Sequence, residues 1–125
     1  NLYKELNNFI TEQEIEAFIN RLNDRFGEAP TAIYNICDAL RLRWFAKKIG
    51  FERIILKNDR MRAYFPSKAD SLYYNSNTFQ QALEYLKPNS GTCEMIENKG
   101  KLSILIKNIN SIEGALSVCE EIVRK

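Results

Sequence analysis

A chain of 125 residues with 45% hydrophobic and 27% charged side chains matches one globular domain and lies outside the polar, highly charged range of disordered chains. Histidine is absent, which removes His-based triads and His-containing metal sites. The net charge of +2 is small for a dedicated nucleic-acid binder; it is split between an acidic first 30 residues, with 3 basic and 6 acidic side chains, and a remainder with 15 and 10. No apolar run approaches the roughly 18 residues of a membrane span and no secretory leader opens the chain, so a cytoplasmic domain without a membrane partner is expected. A start at Asn1, already helical in pattern, predicts a fragment of a longer protein.

Helical spacing dominates the first 50 residues. After a short turn of helix around Leu2, Tyr3 and Leu6, Thr11 stands three before Glu14 as a capping box. Ile15, Phe18, Ile19, Leu22 and Phe26 then form one apolar stripe, closed by Gly27. Opposite them, Arg21, Asp24, Arg25 and Glu28 belong to a polar face. Pro30 can open the next helix and Gly50 close it in a left-handed cap. This helix is apolar on two sides, with Ile33, Ile36, Cys37, Leu40 and Trp44 on one and Tyr34, Leu42, Phe45 and Ile49 on the other. Such a helix is expected to be sandwiched between the preceding helix and a sheet.

Phe51 to Lys57 and Met61 to Phe65 read as a hairpin turning at Asn58-Asp59-Arg60. A polar connector containing Tyr73-Tyr74 leads to Thr78 and Gln81, a second capping box for a short helix ended by Pro88. The adjacent tyrosines suit either a binding surface or a cover over the sheet edge. Cys93 to Glu97 and Lys101 to Lys107 form another hairpin around Asn98-Lys99-Gly100. Asn110 is placed to cap a last helix with Ile112, Ala115, Leu116, Cys119, Ile122 and Val123 at core spacing. The expectation is a single α+β domain over residues 1–125, with a four-stranded, mainly antiparallel sheet from two hairpins packed with about five helices.

Signals for chemistry are sparse. Cys37, Cys93 and Cys119 stand alone on apolar faces and read as free, buried thiols. Glu12, Glu14 and Glu16 fan around a helix start, where carboxylates suit the helix dipole. The five glycines are scattered singly, so no phosphate loop is readable, and no cofactor is expected. The segment from Arg41 to Lys48 mixes cations (Arg41, Arg43, Lys47, Lys48) with Trp44 and Phe45, a composition that can grip phosphates and stack on bases. Helical spacing instead places Trp44 and Phe45 on the two apolar stripes, with the four cations as solvated margins. A nucleic-acid-binding accessory domain is the alternative function this segment supports.

Asp24-Arg25-Phe26-Gly27-Glu28-Ala29-Pro30, followed by Leu40-Arg41-Leu42-Arg43, Ala46 and Ile49-Gly50-Phe51, resembles the C-terminal domain of bacterial transcription-repair coupling factors, best over residues 1 to about 65. The resemblance implies a non-catalytic regulatory module of a larger ATP-driven DNA translocase, which displaces stalled RNA polymerase and recruits nucleotide excision repair. In that family the domain docks on an N-terminal UvrB-like module of the same chain, masks the surface that recruits UvrA and restrains the motor. The docking carboxylates lie one helical turn apart near the end of the second helix. Asp24 matches one of them, whereas Arg21 stands where the family has glutamate, so the facing charge or the contact itself must differ. The resemblance points to the positions of Arg21 and Asp24, and the polar face read from spacing adds Arg25 and Glu28, so these four are the expected inter-domain interface.

Overall fold

Two apolar clusters, meeting on opposite sides of one long helix, organise the chain. The structure, a computed structural model, describes residues 2–67 and 70–124. Its first half is helical: α1 (Leu2–Asn7), α2 (Glu12–Phe26) and α3 (Thr31–Ile49). The start of α2 is the expected capping box, with the Glu14 amide donating to Thr11 Oγ1 at 3.2 Å and the Thr11 amide donating to Glu14 Oε1 at 3.1 Å. Pro30 precedes α3 and Gly50, at φ 102°, caps its end in the left-handed region.

Ile33, Cys37 and Leu40 of α3 are buried with Leu6 of α1, Ile15, Phe18 and Leu22 of α2, and Ala29, while Ile36 and Trp44 pack against this group. On the other side Ile49, with Leu42, Phe45 and Ala46 half-buried beside it, joins the sheet cluster. The sandwiched helix is therefore correct, and one residue on α3 and one on α2 depart from their apolar stripes. Tyr34 is 40% exposed and lines a hollow between α2 and α3 with Ile19 and Arg41, away from the sheet. Phe26, expected in the core, is 70% exposed because α2 ends on it.

The sheet comprises β1 (Arg53–Lys57), β2 (Arg60–Tyr64), β3 (Cys93–Asn98) and β4 (Lys101–Lys107), in spatial order β1-β2-β4-β3 and antiparallel throughout. Both hairpin turns are one residue tighter than expected. Asn58 and Asp59, at φ 54° and 59°, form the whole of the first, and Lys99 and Gly100, at 52° and 80°, the whole of the second. Paired left-handed residues give the twist that a two-residue hairpin needs. Pairing of β2 with β4 joins the hairpins, with Met61 opposite Ile106 and Ala63 opposite Ile104. These four side chains face the helices and are at most 2% exposed.

Three further helices complete the described residues: α4 (Ser71–Tyr74), α5 (Asn77–Leu86) and α6 (Ile112–Arg124), so there are six rather than about five. The extra one, α4, lies within the stretch expected to be a connector, two residues of which, Lys68 and Ala69, lie outside the described residues. Asp70 starts α4 by accepting the Tyr73 amide at 3.1 Å. Helix α5 is capped by Ser76 rather than Thr78, since Ser76 Oγ accepts the Phe79 amide at 3.2 Å. Helix α6 is capped by Ser111 rather than Asn110, through the Gly114 amide at 3.0 Å. In both cases the helix starts one or two residues away from the expected cap, and a serine oxygen takes an orphan amide of its first turn. Helix α6 packs along α3 and α5, and its Ala115, Val118, Cys119 and Ile122 close the sheet cluster.

Candidate docking surface

The end of α2 brings some of the expected interface residues together and separates others. Arg21, Asp24, Arg25 and Glu28 are all exposed. Arg21 forms an ion pair with Glu5 of α1 and its guanidinium lies 5.6 Å from the centre of the Phe18 ring. The internal Arg21–Asp24 pairing that sequence allows is thus not made, and among the described residues Asp24 has no ion-pair partner. Arg25 lies 5.6 Å from the centre of the Phe26 ring. Arg21 and Arg25 share a hollow of about 230 Å³ with Leu2, Glu5, Phe18, Leu22 and Phe26, and Asp24 lies outside it. Glu28 is not on the helical face at all: the chain leaves the helix at Gly27, φ 79°, and Asn23 Oδ1 holds the following loop by accepting the Ala29 amide at 2.9 Å.

On the other flank of Phe26, a groove of about 360 Å³ is almost wholly apolar, lined by Leu2, Tyr3, Leu22, Phe26, Ala29, Pro30, Ala32 and Ile33. Leu2, Tyr3 and Phe26 are 42%, 54% and 70% exposed. A contiguous exposed apolar patch of this kind is a mark of an interaction site. Stripe reasoning assigned Phe26 to the core. The signal that it is not is local: it is the last helical residue before a left-handed glycine, so no following turn covers its ring.

The basic segment of α3 is arranged differently from a nucleic-acid site. Arg41 donates from Nε and Nη2 to the two oxygens of Glu12 at 2.8 and 2.7 Å, and from Nη1 to Asp38 at 2.8 Å. The Arg41 hydrogen bond holds the Glu12 carboxyl below its ordinary value, and the two carboxylates strengthen the hold of Arg41 on its proton. Arg43, Lys47 and Lys48 are exposed margins. Trp44 and Phe45 are half-buried in separate clusters and present no joint stacking platform. Of the carboxylates at the start of α2, Glu12 is engaged by Arg41, while Glu14 caps the helix and is held below its ordinary value chiefly by the Ile10 amide.

Tyr73 and Tyr74 are structural. Tyr73 donates to the Ile49 carbonyl at 2.8 Å and Tyr74 to the Pro66 carbonyl. Their rings pack with Phe65 and Phe79 over the end of the sheet, and burial pushes both phenols up. The cysteines are free and buried. Among the described residues no cluster of Cys, Asp and Glu could hold a metal ion, and no helix is long and apolar enough to cross a membrane.

The sequence model of the TRCF-domain family matches residues 1–76, the part that holds α1 to α4 and the end of α2 in particular. No curated protein matches. The crystal structure of the C-terminal domain of a transcription-repair coupling factor is similar in fold, with a TM-score of 0.72 at 21% identity, over 98% of this chain and 77% of that one.

Proposed function

Since the chain belongs to the TRCF-domain family, we propose that it is the non-catalytic regulatory module of a transcription-repair coupling factor, docking through the end of α2 on the UvrB-like N-terminal module of its parent. Docked, the module masks the surface that recruits UvrA and restrains the ATP-dependent DNA translocase, whose parent protein acts on stalled RNA polymerase. The observation that carries this reading is the exposed apolar groove at Leu2, Tyr3 and Phe26, at the same end of α2 as Asp24, a carboxylate with no ion-pair partner among the described residues. An apolar centre with a charged rim is the anatomy of a protein interface, and an unpaired rim carboxylate selects a partner with a cation opposite it. Arg21, where the family has glutamate, is taken up by Glu5 within the module, which moves the attractive charge to Asp24 and the apolar contact to Phe26.

The test is made in the full-length parent. Asp24→Arg and Phe26→Ser should each raise ATP turnover in the absence of polymerase and raise UvrA recovery in a pull-down. Repressed levels of both activities in both variants, with the module still folded, would remove the end of α2 as the docking face.

A further inference from the structure

The face of the sheet turned away from the helices carries a pattern that the fold does not need. Alternation along the strands places Arg53, Ile55 and Lys57 of β1, Arg60, Arg62 and Tyr64 of β2, Lys101, Ser103, Leu105 and Lys107 of β4, and Glu94, Ile96 and Asn98 of β3 on it. Six cations therefore share one face with a single strand carboxylate, Glu94, and only Lys101, at the far end of β4, has an ion-pair partner among the described residues, Glu52 at 2.7 Å. Lys57, Arg60 and Lys107 stand directly opposite one another across three strands, an arrangement of like charges that weakens a sheet. Among the described residues no carboxylate is within ion-pair distance of any of the other five. Protection of an exposed edge explains Arg53 and Lys57 on edge strand β1. It does not explain Arg60, Arg62 and Lys107, which lie on the two central strands.

Arg62 is held in place. Its Nε donates to Ser103 Oγ at 3.2 Å and its guanidinium lies 5.1 Å from the centre of the Tyr64 ring. Ser103, 1% exposed, is a buried polar residue spent on this contact. Around Arg62 the half-buried Ile55, Leu105 and Tyr64 line a shallow depression of about 300 Å³ together with Lys57, Asn58 and Arg60. The centre is aliphatic and the border is cationic.

We propose that this outer sheet face is a second docking surface, for an acidic protein segment that presents an aliphatic strip flanked by carboxylates. Charge complementarity selects an anionic partner. The aliphatic centre selects a protein over a nucleic acid, because single-stranded nucleic acid is held by aromatic rings on which bases stack. Here Tyr64 is the one aromatic on the face, and Arg62 already lies against its ring. The surface is built by β1, β2 and β4 and is independent of the end of α2.

The experiment uses the 125-residue chain and a labelled amphipathic helical peptide with leucines at i, i+4 spacing flanked by glutamates. A glutamine counterpart, an oligo-dT strand and vesicles containing phosphatidylserine serve as comparators. Amide chemical-shift mapping should place the acidic peptide over Ile55, Arg62 and Leu105, with affinity at least tenfold above the glutamine peptide. Arg60→Gln with Lys107→Gln, and separately Leu105→Ser, should each lower affinity at least fivefold while thermal melts show a folded chain. The single variant Arg60→Gln serves if the double one melts early. Tighter binding of oligo-dT or of the vesicles than of the acidic peptide, equal binding of the glutamine peptide, or shifts confined to α2 and α3 would each overturn the proposal.

Discussion

Arg41 and Glu12 face each other fork to fork, two parallel hydrogen bonds of 2.8 and 2.7 Å that tie the middle of α3 to the first turn of α2. The pair lies at the surface, with side chains 28% and 46% exposed, so solvent screening limits what it adds. Arg41→Ala should cost about 1 kcal/mol, the upper end for exposed pairs in good geometry. The sign of its pH dependence follows from Glu12. A carboxyl held below its ordinary value of 4.5 contributes stability that is present above that value and is lost as pH falls through the folded one. Denaturant melts of the wild-type chain and Glu12→Gln should therefore differ near neutral pH and converge below about pH 4. A gap that persists to pH 2 would show that the carboxylate charge is not what matters.

Phe18 and Phe26 both sit on the apolar periodicity of α2, yet they are 1% and 70% exposed. Phe18→Ala should cost about 3–5 kcal/mol through the cavity it leaves. Phe26→Ala should cost less than about 1 kcal/mol, as exposed substitutions do. Equal losses in chemical denaturation would mean that Phe26 is part of the core.

Trp44, half-buried against the α1–α2 cluster, fills only part of the role of a core residue. Its replacement by alanine should cost about 2 kcal/mol, below the range for fully buried aromatics and well above a surface change. A loss within 0.5 kcal/mol of zero would detach Trp44 from that cluster and free it for another role.

Gly50 has two constraints at once. Its φ of 102° disfavours any Cβ, and a Cβ there would fall 2.3 Å from Tyr73 Cε1. Gly50→Ala should destabilise by roughly 2 kcal/mol or more and release the Tyr73 hydroxyl from the Ile49 carbonyl. Gly91→Ala, with nothing within 4 Å of the added carbon, should stay within about 0.5 kcal/mol of the parent. Melting curves and tyrosine absorbance separate the two cases.

Asp24→Arg should cost the isolated chain less than about 1 kcal/mol, because Asp24 is exposed and has no ion-pair partner among the described residues. In the docking proposed above, the same reversal would face a cation at a desolvated contact in the parent, and a penalty of about 3 kcal/mol would shift docking more than a hundredfold toward the open form. Arg25→Glu should act in the same direction but less, since Arg25 is held against Phe26 rather than facing outward alone. Melting of the isolated variants, run beside parental ATPase assays, distinguishes lost docking from lost folding.

Sequence alone determined the features that depend on near neighbours. The Thr11–Glu14 box, the left-handed exit at Gly50, the two apolar sides of α3 and both hairpins are set by spacings of a few residues, and each is present. The motif around Asp24 to Pro30 was also enough to point to the family that matches residues 1–76. Tertiary structure decided what depends on distant partners. The pairing of β2 with β4 joins residues some 40 apart in the chain and creates the basic outer face, which neither hairpin reveals by itself. The union of Arg41 with Glu12, 29 residues away in the chain, ties α3 to α2 with a cation that sequence had offered for binding phosphate. Arg21 found Glu5 rather than Asp24 because α1 folds back beside α2. Phe26 escaped the core because periodicity gives the direction of a side chain, whereas burial needs something packed against it, and past Gly27 the chain turns away.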